Sequence, residues 1–228
     1  MAVVLLVRHG QASFGAEDYD MLSELGERQS AVVGERLARL ERLDRVVHGG
    51  MRRQADTARI AMEPRTGAPE PVVDLRWAEY DHEAMLRLAV PTEADQERFG
   101  RELAAADDPR RAFQEHFEQA VTRWTGARDG DDYPETFGAF SARVGEGFSA
   151  LLADTGRSQT AVVFTSGGVI SALCAELLGL DADRWAALNR VVVNTSVTKI
   201  VHGRSGTNLI AVNDHAHLEH DPGLITYR

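Results

Sequence analysis

Cysteine is almost missing: of 228 residues only Cys174 carries a thiol, which excludes an internal disulfide. Cys174 lies in the apolar stretch Ile170–Leu178 and reads as a small buried hydrophobe rather than a nucleophile. Lysine is equally scarce. Of the 25 Lys plus Arg only Lys199 is lysine, so the chain has no choice of Schiff-base lysines. Positive charge in excess is absent as well: the formal net charge is -10, which argues against a broad nucleic-acid or membrane surface. Any phosphate must then be met by a local cluster of cations. Long apolar runs are lacking. The first, Val3–Val7, is interrupted by Arg8 and has no basic region ahead of it, so neither a signal peptide nor a membrane span is read, and the expected location is cytoplasmic. There is no internal repeat, coiled coil or low-complexity tract.

What is present is a chain with 43% hydrophobic residues, enough for the core of one domain, 1–228, with an excursion. Val3–Val7 is a short continuous apolar run, as expected of a central strand covered on both faces. Ser23, with Glu27 nearby, opens a helical pattern through about Glu41, its stripe made of Leu25, Val32, Val33, Leu37 and Leu40. Arg45–His48 reads as a strand, Met51 to Met62 as a helix ended by Pro64, and Pro71–Leu75 as a third strand. A strand at Thr160–Thr165 and a helix at Gly168–Leu178 follow later. Arg190–Val193, Thr198–His202 and Leu209–Val212 are strand-like, with turn chemistry at Gly203–Gly206 between the last two. This alternation predicts an α/β fold, a three-layer α/β/α arrangement with a mainly parallel central sheet and a hairpin at one edge. Glu79–Thr155 is helical in pattern and too long for a loop, so an inserted helical cap is expected, with a turn at Gly126–Asp132. The edge strands near the C-terminus offer a surface for pairing two copies into a homodimer.

The first strand runs into Arg8-His9-Gly10, at the kind of strand end where α/β folds site their chemistry. Arg53 stands in Arg53-Gln54-Ala55-Asp56-Thr57-Ala58, and a late strand runs into Ser166-Gly167-Gly168-Val169-Ile170. To these are added Leu22-Ser23-Glu24-Leu25-Gly26, Trp77-Ala78-Glu79, and Asn213 followed by His217-Leu218. Singly each is weak; together and in this order they resemble the histidine phosphatase superfamily, phosphoglycerate mutase-like branch, over nearly the whole chain.

The resemblance implies hydrolysis of a phosphomonoester, which needs a nucleophile for phosphorus, cations for its oxygens and an acid for the leaving alkoxide. His9 would attack through a neutral ring nitrogen, the other nitrogen being fixed by an acceptor such as a backbone carbonyl. Arg8 and Arg53 would hold the phosphoryl oxygens, with Arg52 facing outward. Glu79 would be the acid, kept protonated by burial near Trp77 and Tyr80, with Asp81 and His82 close in sequence. Ser166 and Gly167 would complete the phosphate site. The expected partner is a small phosphorylated metabolite; no cofactor, metal, nucleic acid or membrane is called for.

The chain departs from the family at Ser166, where a second histidine usually stands. Losing such a donor costs roughly 3–4 kcal/mol, or about 10²–10³ in rate, unless something compensates. The Ser166 hydroxyl, the free N–H groups of the following helix, or a displaced histidine among His82, His215 and His217 are the candidates. Gly15 replaces a frequent asparagine, and Gly49-Gly50 a frequent Ser-Pro. Four other readings stay open at this level. One is a phosphatase-like domain that binds a phosphorylated ligand but turns over poorly. The second is a mutase-type phosphotransferase, for which the chain offers few extra cations. A third is a serine hydrolase using Ser166 with Asp214, His217 and an oxyanion loop at His48-Gly49-Gly50, although Phe164 occupies the elbow's first glycine position. The last is a metal site in Asp214, His215, His217, Glu219 and His220.

Overall fold

The computed structural model describes residues 1–13, 20–90, 92–128 and 131–227. In it the opening apolar run forms β1 (Ala2–Arg8), buried on both faces from Val4 to Val7, so that hydrophobic residues need not alternate. The other strands are β2 (Arg45–His48), β3 (Val72–Val73), β4 (Thr160–Thr165), β5 (Val197–Gly203) and β6 (Gly206–Asp214). They make a six-stranded sheet in the order β3-β2-β4-β1-β5-β6. The first four are mutually parallel, and β5 and β6 run antiparallel as a hairpin through the turn at Gly203–Gly206. Helices flank this mixed, mostly parallel sheet, as its α/β class requires.

On one face lie α1 (Glu24–Ala38) and α2 (Arg52–Met62). Ser23 caps α1 by accepting the Gly26 N–H at 3.0 Å, with Glu24 and Glu27 in the positive first turn. Val33 and Leu37 of α1 join Ala58, Ala61 and Met62 of α2 over Leu5, Val7, Val46, Val162 and Phe164. Each large apolar side chain so buried contributes about 1.5–3 kcal/mol. The later helices are α3 (His82–Ala89), α4 (Glu93–Ala105), α5 (Pro109–Thr125), α6 (Phe137–Asp154), α7 (Gly167–Leu178) and α8 (Ala182–Val191). Among the described residues no helix is long and apolar enough to cross a membrane.

The chain divides into two units: Met1–Glu79 with Arg143–Arg228, and Tyr80–Ala142. Helix α6 begins in the second and ends in the first. The second unit has its own aromatic centre, where Tyr80 lies 4.7 Å from Trp124 and 5.6 Å from Phe140, centroid to centroid. The buried Trp124 indole N–H finds the Glu135 carbonyl at 2.8 Å.

Two expected strands need correction. Arg190–Val193 forms no strand: Arg190 and Val191 end α8, which Asp181 caps through the Arg184 N–H, while Val192 and Val193 leave the helix buried. A short apolar run of β-branched residues reads alike in either state. The third strand is only Val72–Val73, because Asp74 accepts the Arg76 N–H and turns the chain into a 3₁₀ turn at Leu75–Trp77. Gly15 and residues 129–130 of the expected turn lie outside the described residues.

At the end of β6, Asp214 binds Arg36 of α1 at 2.6 Å, and Arg36 Nη1 reaches His217 Nδ1 at 3.1 Å. Burial, and then the Arg36 charge, lower the His217 pKa from 6.5 to about 4. A histidine less readily protonated in the folded state than in the unfolded one contributes stability that is full above the unfolded pKa. That contribution is lost as pH falls through the window from 6.5 to about 4. His217→Gln is expected to flatten the fall in melting temperature across this window, as read by thermal unfolding at pH 7.5 and 4.5.

Candidate active site

Strand register brings the two sequence motifs together. Arg8 of β1 pairs with Thr165 of β4, and the His9 N–H donates to the Thr165 carbonyl at 2.8 Å. His9 therefore stands beside Ser166 as both chains leave the sheet at its C-terminal edge. Asn194 donates from Nδ2 to the His9 carbonyl at 3.0 Å and fixes the same backbone from the other side.

The His9 ring is only 6% exposed, and its Nδ1 lies 2.7 Å from the Gly10 carbonyl oxygen. A carbonyl can only accept, so Nδ1 carries the proton and Nε2 the lone pair. The Nε–H of Arg53 donates to that Nε2 at 3.1 Å, which requires the same tautomer. Burial first, then the charges of Arg53 and Arg8, hold the His9 pKa well below 6.5, while the Gly10 carbonyl opposes them. The imidazole is neutral at pH 7. Its backbone is fixed by a close approach: a Cβ on Gly10 would run into the Gly26 carbonyl and lie 2.9 Å from Ser30 Oγ.

Arg53 is 4% exposed and sits in the first turn of α2. Its Nη1 pairs with Asp20 at 2.6 Å and its Nη2 meets Met51 Sδ at 3.3 Å. Thr57, one turn on, accepts the Gly10 N–H at 3.0 Å and donates to the Arg53 carbonyl at 2.7 Å, tying α2 to the His9 loop. Arg52 points outward, with Asp56 at 3.7 Å. Arg8 donates from Nη1 to the carbonyls of Val192 and Tyr227. Its guanidinium lies over the start of α7, where a Cβ on Gly167 would be 3.6 Å from Arg8 Nε.

Glu79 follows the 3₁₀ turn, which is clamped in place. The Trp77 carbonyl accepts from Thr165 Oγ1 at 2.7 Å and from Gln54 Nε2 at 3.3 Å, and Arg143 donates to the carbonyls of Arg76 and Ala78 at 3.0 Å each. So held, the Glu79 Oε2 accepts the Gly168 N–H at 3.0 Å, at the N-terminus of α7. The sequence leaves this helix end open for phosphate, and the Glu79 carboxyl group takes one of its N–H donors. Ser166 is fully buried, and its Oγ accepts from Gln54 Nε2 at 2.9 Å.

Of the three histidines considered as compensating for Ser166, His215 and His217 have partners of their own. His82 begins α3 in the second unit, with Asp81 as its cap. His215 Nδ1 lies 2.7 Å from the Asn213 carbonyl, and His217 faces Arg36. The serine-hydrolase arrangement is thereby corrected: Ser166 meets Gln54 rather than His217, and the Gly50 N–H of the supposed oxyanion loop folds back onto His48 Nδ1 at 3.2 Å. In the His-rich tract Asp214 is taken by Arg36 and His220 Nδ1 by the His217 carbonyl, and among the described residues no cluster of three His, Cys, Asp or Glu is placed to hold a metal. Asp20, Gln54 and Asn194 were missed from the sequence. Gln54 adjoins Arg53 and Asp20 precedes Leu22-Ser23, but neither position announces its partner.

The family model for the histidine phosphatase superfamily (branch 1) matches residues 4–130 and 108–215. The chain belongs to that superfamily, in its phosphoglycerate mutase-like branch. A glucosyl-3-phosphoglycerate phosphatase of Mycolicibacterium vanbaalenii is 28% identical over 96% of this chain and 88% of its own. The YhfR protein of Bacillus stearothermophilus shares the fold with a TM-score of 0.69 and 21% identity, covering 96% of this chain and 100% of that one. A mycobacterial glucosyl-3-phosphoglycerate phosphatase solved with inorganic phosphate is similar at a TM-score of 0.61 and 24% identity, covering 94% and 98%.

Proposed function

We propose that this protein is a phosphomonoester hydrolase working through a phosphohistidine on His9. The observation that carries the reading is the tautomer. With its proton on Nδ1, His9 keeps its lone pair on Nε2, which accepts the Arg53 Nε–H at 3.1 Å and becomes free to attack when the arriving phosphoryl group draws that donor to itself. In the first step Nε2 attacks phosphorus, the bond to the leaving oxygen breaks, and Glu79 supplies the proton to that alkoxide. Because Oε2 accepts the Gly168 N–H, the proton belongs on Oε1. In the second step water attacks the phosphohistidine, Glu79 takes a proton back, and His9 Nε2 is freed. Arg8 and Arg53 carry the charge on the phosphoryl oxygens throughout. The substrate is proposed to be a small phosphorylated metabolite.

Turnover of an aryl phosphate without added metal, with Glu79→Gln alongside, tests the reading. Retained phosphate binding without turnover would favour a phosphate-binding domain instead. The acid limb of the rate profile is expected below the ordinary histidine range, because the neutral nucleophile persists as pH falls through 6.5. An inflection at 6.5 would contradict the depressed His9 pKa. For Ser166→Ala, loss of a hydroxyl donor to the phosphoryl group is expected to lower kcat about 10²-fold. A kcat within a factor of about three of the parent would remove Ser166 from the phosphate site.

A further inference from the structure

Arg53 does not wait with an uncompensated charge. Asp20 Oδ1 is 2.6 Å from Arg53 Nη1, and Asp20 Oδ2 accepts the Arg52 N–H at 2.7 Å. Arg52 is the first residue of α2, so one carboxylate bridges a buried guanidinium and a helix N-terminal N–H. Those are the two kinds of donor that bind a phosphoryl group, and the same guanidinium touches the His9 nucleophile through Nε at 3.1 Å.

We propose that Asp20 is an internal counter-anion of the phosphate seat. Its carboxylate takes contacts on Arg53 and on the first N–H of α2 that a phosphoryl group also needs, so it weakens the hold on phosphate and hastens its release. This rests on the phosphatase reading for the identity of the ligand. The physical case is independent of turnover. Two anions competing for one guanidinium repel one another and share its donors, so the incoming one binds less tightly than the donors alone would allow. Asp20 is suited to this exchange because its side chain is 35% exposed while that of Arg53 is 5% exposed: water reaches the carboxylate, whereas the guanidinium is enclosed. The cost of freeing Arg53 is met by the arriving phosphate, which replaces one charge partner with another.

The test is binding of inorganic phosphate to the whole protein, measured by calorimetry and by the rise in melting temperature, in the parent, Asp20→Asn and Asp20→Glu. Asparagine keeps an oxygen to accept from Arg53 Nη1 but removes the charge. Asp20→Asn is expected to bind phosphate roughly tenfold or more tightly. It should melt lower without phosphate and gain more from it. Asp20→Glu restores the charge and should bind like the parent. In steady state, competitive inhibition by phosphate should strengthen and KM fall in Asp20→Asn. Unchanged or weaker phosphate binding in Asp20→Asn overturns the proposal and makes Asp20 a residue that merely orients Arg53. Tighter binding in a protein that never turns over would retain the counter-anion and remove the hydrolase. No phosphate binding by any of the three proteins would overturn both.

Discussion

His9→Ala is expected to lower turnover of an aryl phosphate by about 10⁴-fold or more, with the protein still folded and its phosphate affinity changed far less. The size of the effect follows from where the lone pair sits. Nδ1 is committed to the Gly10 carbonyl at 2.7 Å, so Nε2 is the ring nitrogen able to attack. His215 and His217 are held at the end of β6, by the Asn213 carbonyl and by Arg36. Cys174 cannot substitute, since it is buried and burial raises its pKa to about 12. On the proposed reading phosphate affinity survives, because Arg8, Arg53 and the neighbouring N–H groups would carry it rather than the neutral imidazole. Initial rates together with phosphate calorimetry read both quantities. A variant retaining a tenth of parental turnover would move the nucleophile elsewhere.

Gly10→Ala is expected to damage both stability and turnover. The added carbon would be driven into the Gly26 carbonyl at the start of α1 and set 2.9 Å from Ser30 Oγ, which itself donates to that carbonyl at 2.7 Å. Backbone has little freedom to yield here. The Gly10 N–H is bound to Thr57 at 3.0 Å, and the next residue, Gln11, donates its N–H to Gln29 Oε1 at 2.8 Å. Overpacking of this kind costs roughly 2–3 kcal/mol. In a chain of this size that lowers the melting temperature by roughly 5–10 °C. Activity should fall further than stability alone explains, because the strained carbonyl of residue 10 is the one that sets the His9 tautomer. A melting temperature and rate equal to the parent's would mean that α1 gives way without consequence.

Much of the sheet is legible in the residues themselves. Val3–Val7, Arg45–His48 and Thr160–Thr165 are short apolar runs bounded by polar or glycine residues, and burial on both faces leaves them no alternative pattern. The meeting of His9 with Ser166 follows from parallel pairing of β1 with β4; strand-helix alternation implies the parallel sense but not which strands are neighbours. The resemblance to the superfamily added Glu79, which no spacing would have singled out. What stayed hidden is the polar pairing across the fold. Asp20 with Arg53 spans 33 positions and Gln54 with Ser166 spans 112, and hydrogen bonds between side chains so far apart leave no periodic trace in a sequence. The occupation of the α7 N-terminus by Glu79 is of the same kind. Arg190–Val193 misleads for a local reason: the last residues of a capped helix and the first of a buried loop combine into a run with strand composition.

The most direct measurement is to quench the protein during turnover and ask where phosphate is attached. Chemical quenching in base, digestion and mass spectrometry should find a phosphoryl group on His9, labile to acid and stable to base, on the ring nitrogen distal to the main chain. His9→Ala should carry none. Continued turnover with no acid-labile phosphate trapped at any time, or phosphate trapped on Ser166 or on His217, would contradict the assignment of His9 Nε2 as the nucleophile.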